Sequence, residues 1–293
     1  MPVSNLDSDG RDVTIAAVGL SERTRTLVTG SDEKRFGSGL ETARGGPVVR
    51  GGDPAQEDAT HAPGDLRSFG RRRGRKATQH QRKLLNELLP RVVLDPHILA
   101  RAGVHDTAEL AALCGAAGSD VWLEIGFGGG EHLIWQARNN PHVAIIGSEP
   151  FEDGVVKVLA ATEAGGLDRV RILADDVRPL LRALPDASLS RVFILFPDPW
   201  PKRRHHKRRL IGAALVADLA RVMRSGAQLR FATDIGDYAR TALLSLNGNA
   251  NFEWTALRPG DWRERPADWP PTRYEEKAVR EGRRRYYFRF RRR

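Results

Sequence analysis

Residues 196–204, FPDPWPKRR, combine side chains that could carry out chemistry on a polyanion. Asp198 supplies a carboxylate, and three prolines within five residues restrict the backbone that holds it. Residues 202–209 carry six Lys or Arg side chains and two His, which suits a phosphate backbone, and Trp200 offers a ring for base stacking. The pattern predicts a rigid catalytic loop beside a nucleic-acid contact. The alternative is a proline-kinked loop before a solvated, positively charged helix start.

A glycine-rich turn, LEIGFGGGE at residues 123–131, predicts a cofactor loop at a strand end. Gly126 and Gly128 permit a tight turn and a close approach of the backbone to a ligand. A dinucleotide fingerprint starting at Gly126 would need a glycine at position 131, where the chain has Glu131. A carboxylate there repels a pyrophosphate but attracts the sulfonium and ammonium groups of S-adenosylmethionine. A tight turn without a ligand is the alternative.

Acidic residues also accompany three successive predicted strands. Glu124, in the first, is placed for the charged amino-acid end of this cofactor, and Glu149, after the second, for its ribose hydroxyls. Asp175 or Asp176, after the third, is placed for the adenine amino group. Because parallel strands end at one crevice, we expect these carboxylates around a single ligand, with Asp198 facing its methyl group.

From residue 121 onward, short β-rich runs alternate with stretches of helical periodicity. Strands are predicted at residues 121–125, 143–147, 170–173, 192–196 and 229–233. Helices are predicted between them at 131–138, 152–164 and 210–223. A helix at 78–89 precedes this pattern, and edge strands at 252–257 and 285–290 follow it. The pattern predicts an α/β fold with a mostly parallel, seven-stranded sheet and helices on both faces.

The composition favours a polyanionic partner. The 293 residues hold 47 Lys plus Arg against 37 Asp plus Glu, giving a net charge of +10, so nucleic acid ranks first and an anionic membrane surface second.

The single cysteine, Cys114, fits a reducing, cytoplasmic location and excludes a Cys-ligated zinc site. No metal is expected, since His205 and His206 have no Cys or carboxylate at ligand spacing. No apolar run is long enough to cross a membrane.

The chain is expected to divide near residue 64. Residues 1–64 lack helical or strand periodicity and predict a disordered leader. Residues 65–293 would form one catalytic domain that opens with a basic arm at 65–90. The arm and the terminal run Arg291, Arg292 and Arg293 would extend a phosphate footprint. A monomer is expected, with a weak homodimer as the alternative.

Five motifs follow one another across residues 65–293. They are RSFGRRRGR (67–75), LEIGFG (123–128), FPDPWPK (196–202) with its trailing KRR, ATDIGDYA (232–239) and TRYE (272–275). In these motifs the chain resembles the bacterial tRNA (guanine-N7-)-methyltransferases. The resemblance implies the Rossmann-like fold of class I S-adenosylmethionine-dependent methyltransferases. It also implies tRNA as partner and methyl transfer to N7 of a guanosine in the variable loop, position 46.

The same resemblance assigns roles to individual residues. Glu124, Glu149 and Asp175 match cofactor contacts, and Asp198 matches the catalytic aspartate. The substrate-binding positions that it implies are Lys202, Asp234, Thr272, Arg273, Tyr274 and Glu275. Asp176 stays an alternative to Asp175, although counting 23 residues back from Asp198 favours Asp175. Tyr274 replaces the family's usual Phe, which keeps the ring and adds a hydroxyl. Residues 1–64 have no family counterpart.

Guanine N7 has a lone pair and no proton, so its methylation needs no general base. Asp198 and Asp234 are therefore expected to orient the guanine and balance its developing charge, while Lys202 holds a phosphate. Arg273 would bind another phosphate and Glu275 would close the pocket, although Thr272 and Glu275 also have capping-box spacing. Two other functions remain open: a methyltransferase of this fold with a small-molecule or protein substrate, and an RNA-binding module without catalysis.

Overall fold

A computed structural model describes residues 74, 76–118 and 120–293 of the chain, all within one compact unit that spans residues 57–293. The predicted leader at 1–64 lies outside the described residues. So does most of the motif at 67–75, and with it the first part of the basic arm. Among the described residues no helix is long and apolar enough to cross a membrane.

Seven strands form one sheet in the order β3-β2-β1-β4-β5-β7-β6. Strands β1 to β5 run parallel, and β7 is antiparallel to both of its neighbours. The strands are β1 (Val121–Ile125), β2 (Ala144–Ser148), β3 (Val170–Leu173), β4 (Leu189–Leu195), β5 (Met223–Thr233), β6 (Phe252–Trp254) and β7 (Tyr286–Arg292). The predicted seven-stranded, mostly parallel sheet is confirmed. Both late strands form, but only β6 is an edge strand, because β7 pairs with β5 on one side and β6 on the other.

Helices flank the sheet. Before β1 lie α1 (Gln79–Lys83), a π-helical segment (Leu84–Leu88), α2 (Leu89–Val92), α3 (Pro96–Ala102) and α4 (Thr107–Leu113). Between β1 and β5 lie α5 (Glu131–Asn139), α6 (Glu152–Glu163), α7 (Val177–Ala183), a 3-10 segment (Arg203–Arg208) and α8 (Ala213–Val222). After β5 come α9 (Gly236–Asn247), α10 (Gly260–Arg263) and α11 (Arg273–Arg280).

Two predicted helices differ from the structure in detail. The helix predicted at 78–89 begins with a capping box of Thr78 and Gln81, but its middle is π-helical, with Leu89 N–H donating to Leu84 O. Pro90 follows at once and has no amide hydrogen, so the regular i to i−4 pattern cannot continue there. The helix predicted from 210 begins at Ala213, because residues 203–208 form the separate 3-10 segment.

The central strands are buried on both faces, as expected for parallel strands between helices. All five residues of β1 are buried. Leu123 and Ile125 face a core that includes Leu219 of α8, whereas Trp122 faces a second core with Leu133 of α5. The chain order reverses between β1 and β4, which is where ligands bind in sheets of this type. The fold thus places the carboxyl ends of β1 to β4 around one crevice.

Candidate active site

A cavity of about 620 Å³ opens at the carboxyl ends of the parallel strands. Seven of the predicted site residues line it: Gly126, Gly128, Glu149, Asp175, Asp176, Asp198 and Tyr274. Six others do not: Glu124, Lys202, Asp234, Thr272, Arg273 and Glu275. The structure therefore brings the acidic residues after β2, β3 and β4 together, and it places most of the implied substrate residues outside this space.

The glycine-rich turn after β1 has the backbone shape that its sequence predicts. Gly126 and Gly128 have φ angles of 74° and 55°, in the left-handed region that a side chain disfavours. A Cβ atom at Gly126 would meet nothing within 4 Å, whereas one at Gly128 would lie 3.1 Å from the ring of Tyr274. The first glycine leaves open space beside the backbone, and the second accommodates the aromatic ring.

Glu149 is buried at the end of β2 and binds the glycine turn directly. Its two carboxylate oxygens accept hydrogen bonds from Gly128 N–H at 2.7 Å and Phe151 N–H at 2.9 Å. Burial raises the pKa of Glu149, the two backbone donors lower it, and the nearby carboxylate of Asp198 raises it again. Glu149 thus fixes the turn. A cationic or hydroxyl-bearing ligand in the cavity would stabilise the negative charge of its carboxylate.

The structure distinguishes Asp175 from Asp176. The Asp176 carboxylate caps α7 by accepting from Arg178 N–H at 2.9 Å, and it forms an ion pair with the Arg178 guanidinium. Asp175 accepts from Asp176 N–H at 2.8 Å, and its carbonyl oxygen accepts from Ser148 Oγ. Asp176 is committed to the start of a helix, which favours Asp175 as the ligand contact.

Glu124, in β1 before the glycine turn, is not among the residues that line the cavity. Only 3% of it is exposed, and its Oε2 is 2.7 Å from His132 Nδ1 on α5. His132 Nε2 is 3.1 Å from Gln136 Nε2, and this amide also donates to Asp268 O. Glu124, predicted to receive the amino-acid end of the cofactor, also joins β1 to α5 through a buried histidine.

The loop after β4 is held in an uncommon backbone conformation. Phe196 and Trp200, on either side of Asp198, have positive φ angles of 50° and 42°, which for bulky residues are sparsely populated. Burial raises the pKa of Asp198, even though part of its side chain reaches solvent in the cavity mouth. The strain and the prolines together present this carboxylate on a rigid loop.

Arg209 anchors this loop from the inside. Its side chain is only 2% exposed, and its Nε donates to Pro199 O at 3.0 Å. The other nitrogens bind Asp237 of α9 at 2.7 Å and Thr241 Oγ1 at 3.2 Å. One residue of the basic run is thus a structural link between the loop and α9 and is not available to bind phosphate.

The rest of the basic run divides between the cavity wall, where His206, Lys207 and Arg208 lie, and the exposed surface. Lys202, Arg203 and Arg204 are exposed, and Arg208 lies 5.1 Å over the ring of Trp200. His206 Nε2 is 3.1 Å from Arg209 Nη2. No group of His, Cys, Asp and Glu side chains suited to a metal ion occurs in the described part of the chain. The exposed cations thus continue, at the edge of the cavity, the basic residues that line it together with the carboxylates.

The remaining implied substrate residues lie along α11 and β5. Thr272 caps α11 by accepting from Glu275 N–H at 3.2 Å, so the helix-capping interpretation holds for Thr272. The Glu275 carboxylate does not reciprocate; it accepts from Tyr287 Oη at 2.6 Å and pairs with Arg265 at 3.1 Å. Arg273 Nε lies 3.8 Å from Glu131. Asp234 pairs with Arg283 at 2.6 Å.

Four partners of the site were not among the residues predicted from sequence: His132, Arg209, Arg283 and Tyr287. Arg209 stands in a run of similar cations, and nothing in its type or spacing marks it as buried. Arg283 and Tyr287 lie 49 and 12 residues from their partners Asp234 and Glu275 in the sequence. The contact of His132 with Glu124 depends on how α5 is oriented over the sheet. The structure nevertheless brings carboxylates and cations together around one cavity.

Known proteins resemble this chain over most of its length. Residues 119–288 match the family model described as "Putative methyltransferase". A protein of Rhodospirillum rubrum named tRNA (guanine-N(7)-)-methyltransferase is 47% identical over 229 residues, covering 78% of this chain and 89% of the relative. Proteins of the same name from Ruegeria pomeroyi and Bradyrhizobium diazoefficiens are 47% and 44% identical, covering 76% and 83% of this chain and 93% and 98% of the relatives.

Proposed function

Since this chain belongs to the tRNA (guanine-N(7)-)-methyltransferase family, we propose that the guanosine it methylates lies at position 46 in the variable loop of tRNA. The enzyme transfers a methyl group from S-adenosylmethionine to guanine N7 of tRNA. The observation that carries the proposal is the junction of the acid-lined cavity with the cationic segment 202–209. Such a junction suits a cationic methyl donor and a phosphate-bearing acceptor together.

S-adenosylmethionine, when bound, supplies a methyl group on a positively charged sulfonium. The cavity fits it in size, at about 620 Å³, and Glu149, Asp175 and Asp198 in its lining can accept hydrogen bonds from its ammonium, hydroxyl and amino groups. Each oxygen of Glu149 already accepts one backbone N–H and can accept a further hydrogen bond. We assign Glu149 to the ribose hydroxyls and Asp175 to the adenine amino group.

Glu124 takes a supporting role in this proposal. Its bond to His132 connects the strand before the glycine turn to the helix after it. Both side chains are about 3% exposed or less, so the pair fixes the relative position of β1 and α5 in a region that water does not enter. The turn at Gly126 and Gly128 is then held in place before the cofactor arrives, which lowers the ordering cost of binding.

Asp198 acts on charge and orientation. The in-plane lone pair of guanine N7 forms the new bond to the methyl carbon as the sulfur–carbon bond breaks, and no proton has to leave N7. The purine ring gains positive charge in that step, which a fixed carboxylate stabilises more in the transition state than in the ground state. Asp198 can also accept from the guanine N1–H and N2 amino groups, which adenine lacks in that pattern.

The exposed cations hold the RNA. Lys202 lies outside the cavity and is exposed, which suits a phosphate beside the target nucleotide. Tyr274 lines the cavity and is 44% exposed, so its ring can contact both cofactor and base. We assign Arg273 to a phosphate. The other three residues would shape the part of the site that receives the RNA: Asp234 binds Arg283, Thr272 caps α11, and Glu275 binds Tyr287. The enzyme would act as a monomer in the cytoplasm.

Methyl transfer to defined tRNA transcripts tests the proposal. The full-length chain is incubated with unmodified tRNA and labelled S-adenosylmethionine, and the modified nucleotide is mapped. We expect one N7-methylguanosine in the variable loop and no product when that guanosine is replaced by adenosine. Product at another guanosine would contradict the proposed position. Binding without any methyl transfer would favour a non-catalytic RNA-binding module, and labelling of a small molecule or protein instead would favour another substrate.

A further inference from the structure

A second basic surface lies on the sheet itself, away from the cavity. Arg230 of β5 is the direct partner of Arg289 on β7, and Gln228 of β5 pairs with both Arg191 of β4 and Arg291 of β7. Cross-strand partners share one face of a sheet. These five residues, called here the arginine face, are Arg191, Gln228, Arg230, Arg289 and Arg291.

The alternation of the strands shows which face this is. Leu229, Phe231, Phe288 and Phe290 alternate with the arginine face and pack with α9 in the first core. The arginines therefore project from the other side of the sheet. Asp268 covers Arg230 there, with Arg230 Nη1 at 2.7 Å from its carboxylate. Arg191 and Arg289 are half-buried, and Arg291 is exposed, so this part of the face is open to solvent.

The positive charge of the arginine face is only partly neutralised. Arg230 pairs with Asp268, and Arg291 pairs with Glu253 at 2.8 Å. Arg191 lies 4.2 Å over the ring of Trp122. Within the described part of the chain, neither Arg191 nor Arg289 has a carboxylate at ion-pair distance. Burial and then the neighbouring Arg230 lower the pKa of Arg191 to about 10, against the opposing effect of the more distant carboxylates of Asp268 and Asp120, so Arg191 stays protonated at neutral pH.

Grouping like charges on a half-buried face is electrostatically unfavourable, and a bound anion would relieve it. We propose that the arginine face is a second contact for the phosphate backbone of the tRNA whose guanosine occupies the cavity. This inference rests on the proposed function, because it takes tRNA as the substrate. Arg230 lies three residues before the end of β5 at Thr233, roughly 10 Å along the strand, so one tRNA can contact both places. Two copies of this face would repel each other.

Charge-neutral substitutions of the two unpaired arginines test the inference. Arg191→Gln and Arg289→Gln, alone and together, are compared with Arg101→Gln, an exposed residue at the end of α3. We expect the double variant to bind tRNA on the order of 10-fold more weakly, with a salt slope reduced by about one per lost phosphate contact. Cofactor affinity and the methylation rate at saturating tRNA should stay at wild-type values. Arg230 is left intact because it is buried against Asp268.

The thermal midpoint serves as a control for folding. Removing a like charge should leave it unchanged or slightly raised, whereas a structural role for Arg289 or Arg191 would lower it. Wild-type tRNA affinity and salt slope in the double variant would overturn the inference while leaving tRNA methylation intact. Failure of the wild-type chain to methylate tRNA would instead contradict the proposed function. A dimer that only the arginine variants dissociate would show that the face binds a second copy.

Discussion

Asp198 and Glu149 share one cavity, and their titrations are therefore linked. Burial raises the pKa of each carboxyl, and Asp198 raises that of Glu149 further. An acid with a raised pKa takes up its proton at a higher pH than usual, so the negative charge that attracts a cationic cofactor is lost as the pH falls through that raised value. Cofactor binding should consequently weaken on acidification before ordinary carboxylates are protonated.

Asp198→Asn separates the two roles of the carboxylate, because it keeps the shape and removes the charge. We expect the methylation rate at saturating tRNA and cofactor to fall on the order of 10²-fold. The pKa of Glu149 should also move down, so the acid limb of cofactor binding shifts to lower pH. Single-turnover methylation and cofactor titrations across a pH series measure both effects. A wild-type rate would show that Asp198 takes no part in the mechanism. An unchanged pH dependence of cofactor binding would show that Asp198 does not affect the pKa of Glu149.

Arg209→Lys tests whether the buried arginine positions the catalytic loop. Lysine keeps the charge, but it cannot bind Pro199 O, Asp237 and Thr241 from one planar group. We expect kcat to fall about 10-fold with little change in tRNA affinity, since displacement of a reacting group by a fraction of an ångström is costly. The matched variant Arg203→Gln, at an exposed position, should weaken tRNA binding and leave kcat unchanged. The reverse pattern would assign Arg209 to RNA contact.

At the scale of elements, α6 packs closely against the cofactor turn. Gly154, in the first turn of α6, lies where an added Cβ would overlap the carbonyl oxygen of Gly128 and sit 3.2 Å from Glu149 Cγ. Helix and turn can approach this closely only because position 154 lacks a side chain. The position of α6 therefore helps to set the shape of the cavity wall.

Gly154→Ala should destabilise the protein, although alanine has a higher helix propensity than glycine. In an ordinary helix this change stabilises by about 1 kcal/mol, but here the overlap with backbone should destabilise the fold by about 1–3 kcal/mol. Cofactor affinity should fall with it. Gly260→Ala is the control, because Gly260 is also helical and its nearest neighbour is the flexible end of Glu264 at 3.4 Å. Thermal melts and cofactor titrations compare the two; a more stable Gly154→Ala variant would contradict the packing argument.

The elements were largely predictable because their signals are local. The strands predicted at 121–125 and 170–173 coincide with β1 and β3, which are apolar apart from Glu124 and Arg171. β5 begins at Met223, six residues before the prediction, because the polar stretch RSGAQ conceals the start of the strand. The bond of Glu124 to His132 could not be predicted from sequence, since it depends on how α5 is oriented over the sheet. Pairings of this kind arise from tertiary packing, which periodicity does not report.

At the scale of the whole molecule, charge is sorted by location. The net charge of the chain is +10, and the cavity is lined by four carboxylates together with basic side chains such as Arg178 and Lys207. Cations occupy its rim at 202–209 and, farther away, the arginine face. A positive exterior attracts a polyanion over a long range, while an acidic interior attracts a small cation. We therefore expect the two ligands to be bound by groups of opposite charge.

This separation predicts opposite responses to salt. Each phosphate that binds a Lys or Arg releases condensed counterions, so tRNA affinity should fall steeply, by about 10³-fold between 50 and 200 mM salt if six phosphates are contacted. Cofactor affinity should change little over the same range, because its contacts lie within the cavity, where screening is weaker. Parallel titrations of tRNA and cofactor across that range measure both slopes. A flat tRNA curve would show that the outward cations are merely solvated, and a steep cofactor curve would show that the carboxylates of the cavity are accessible to salt.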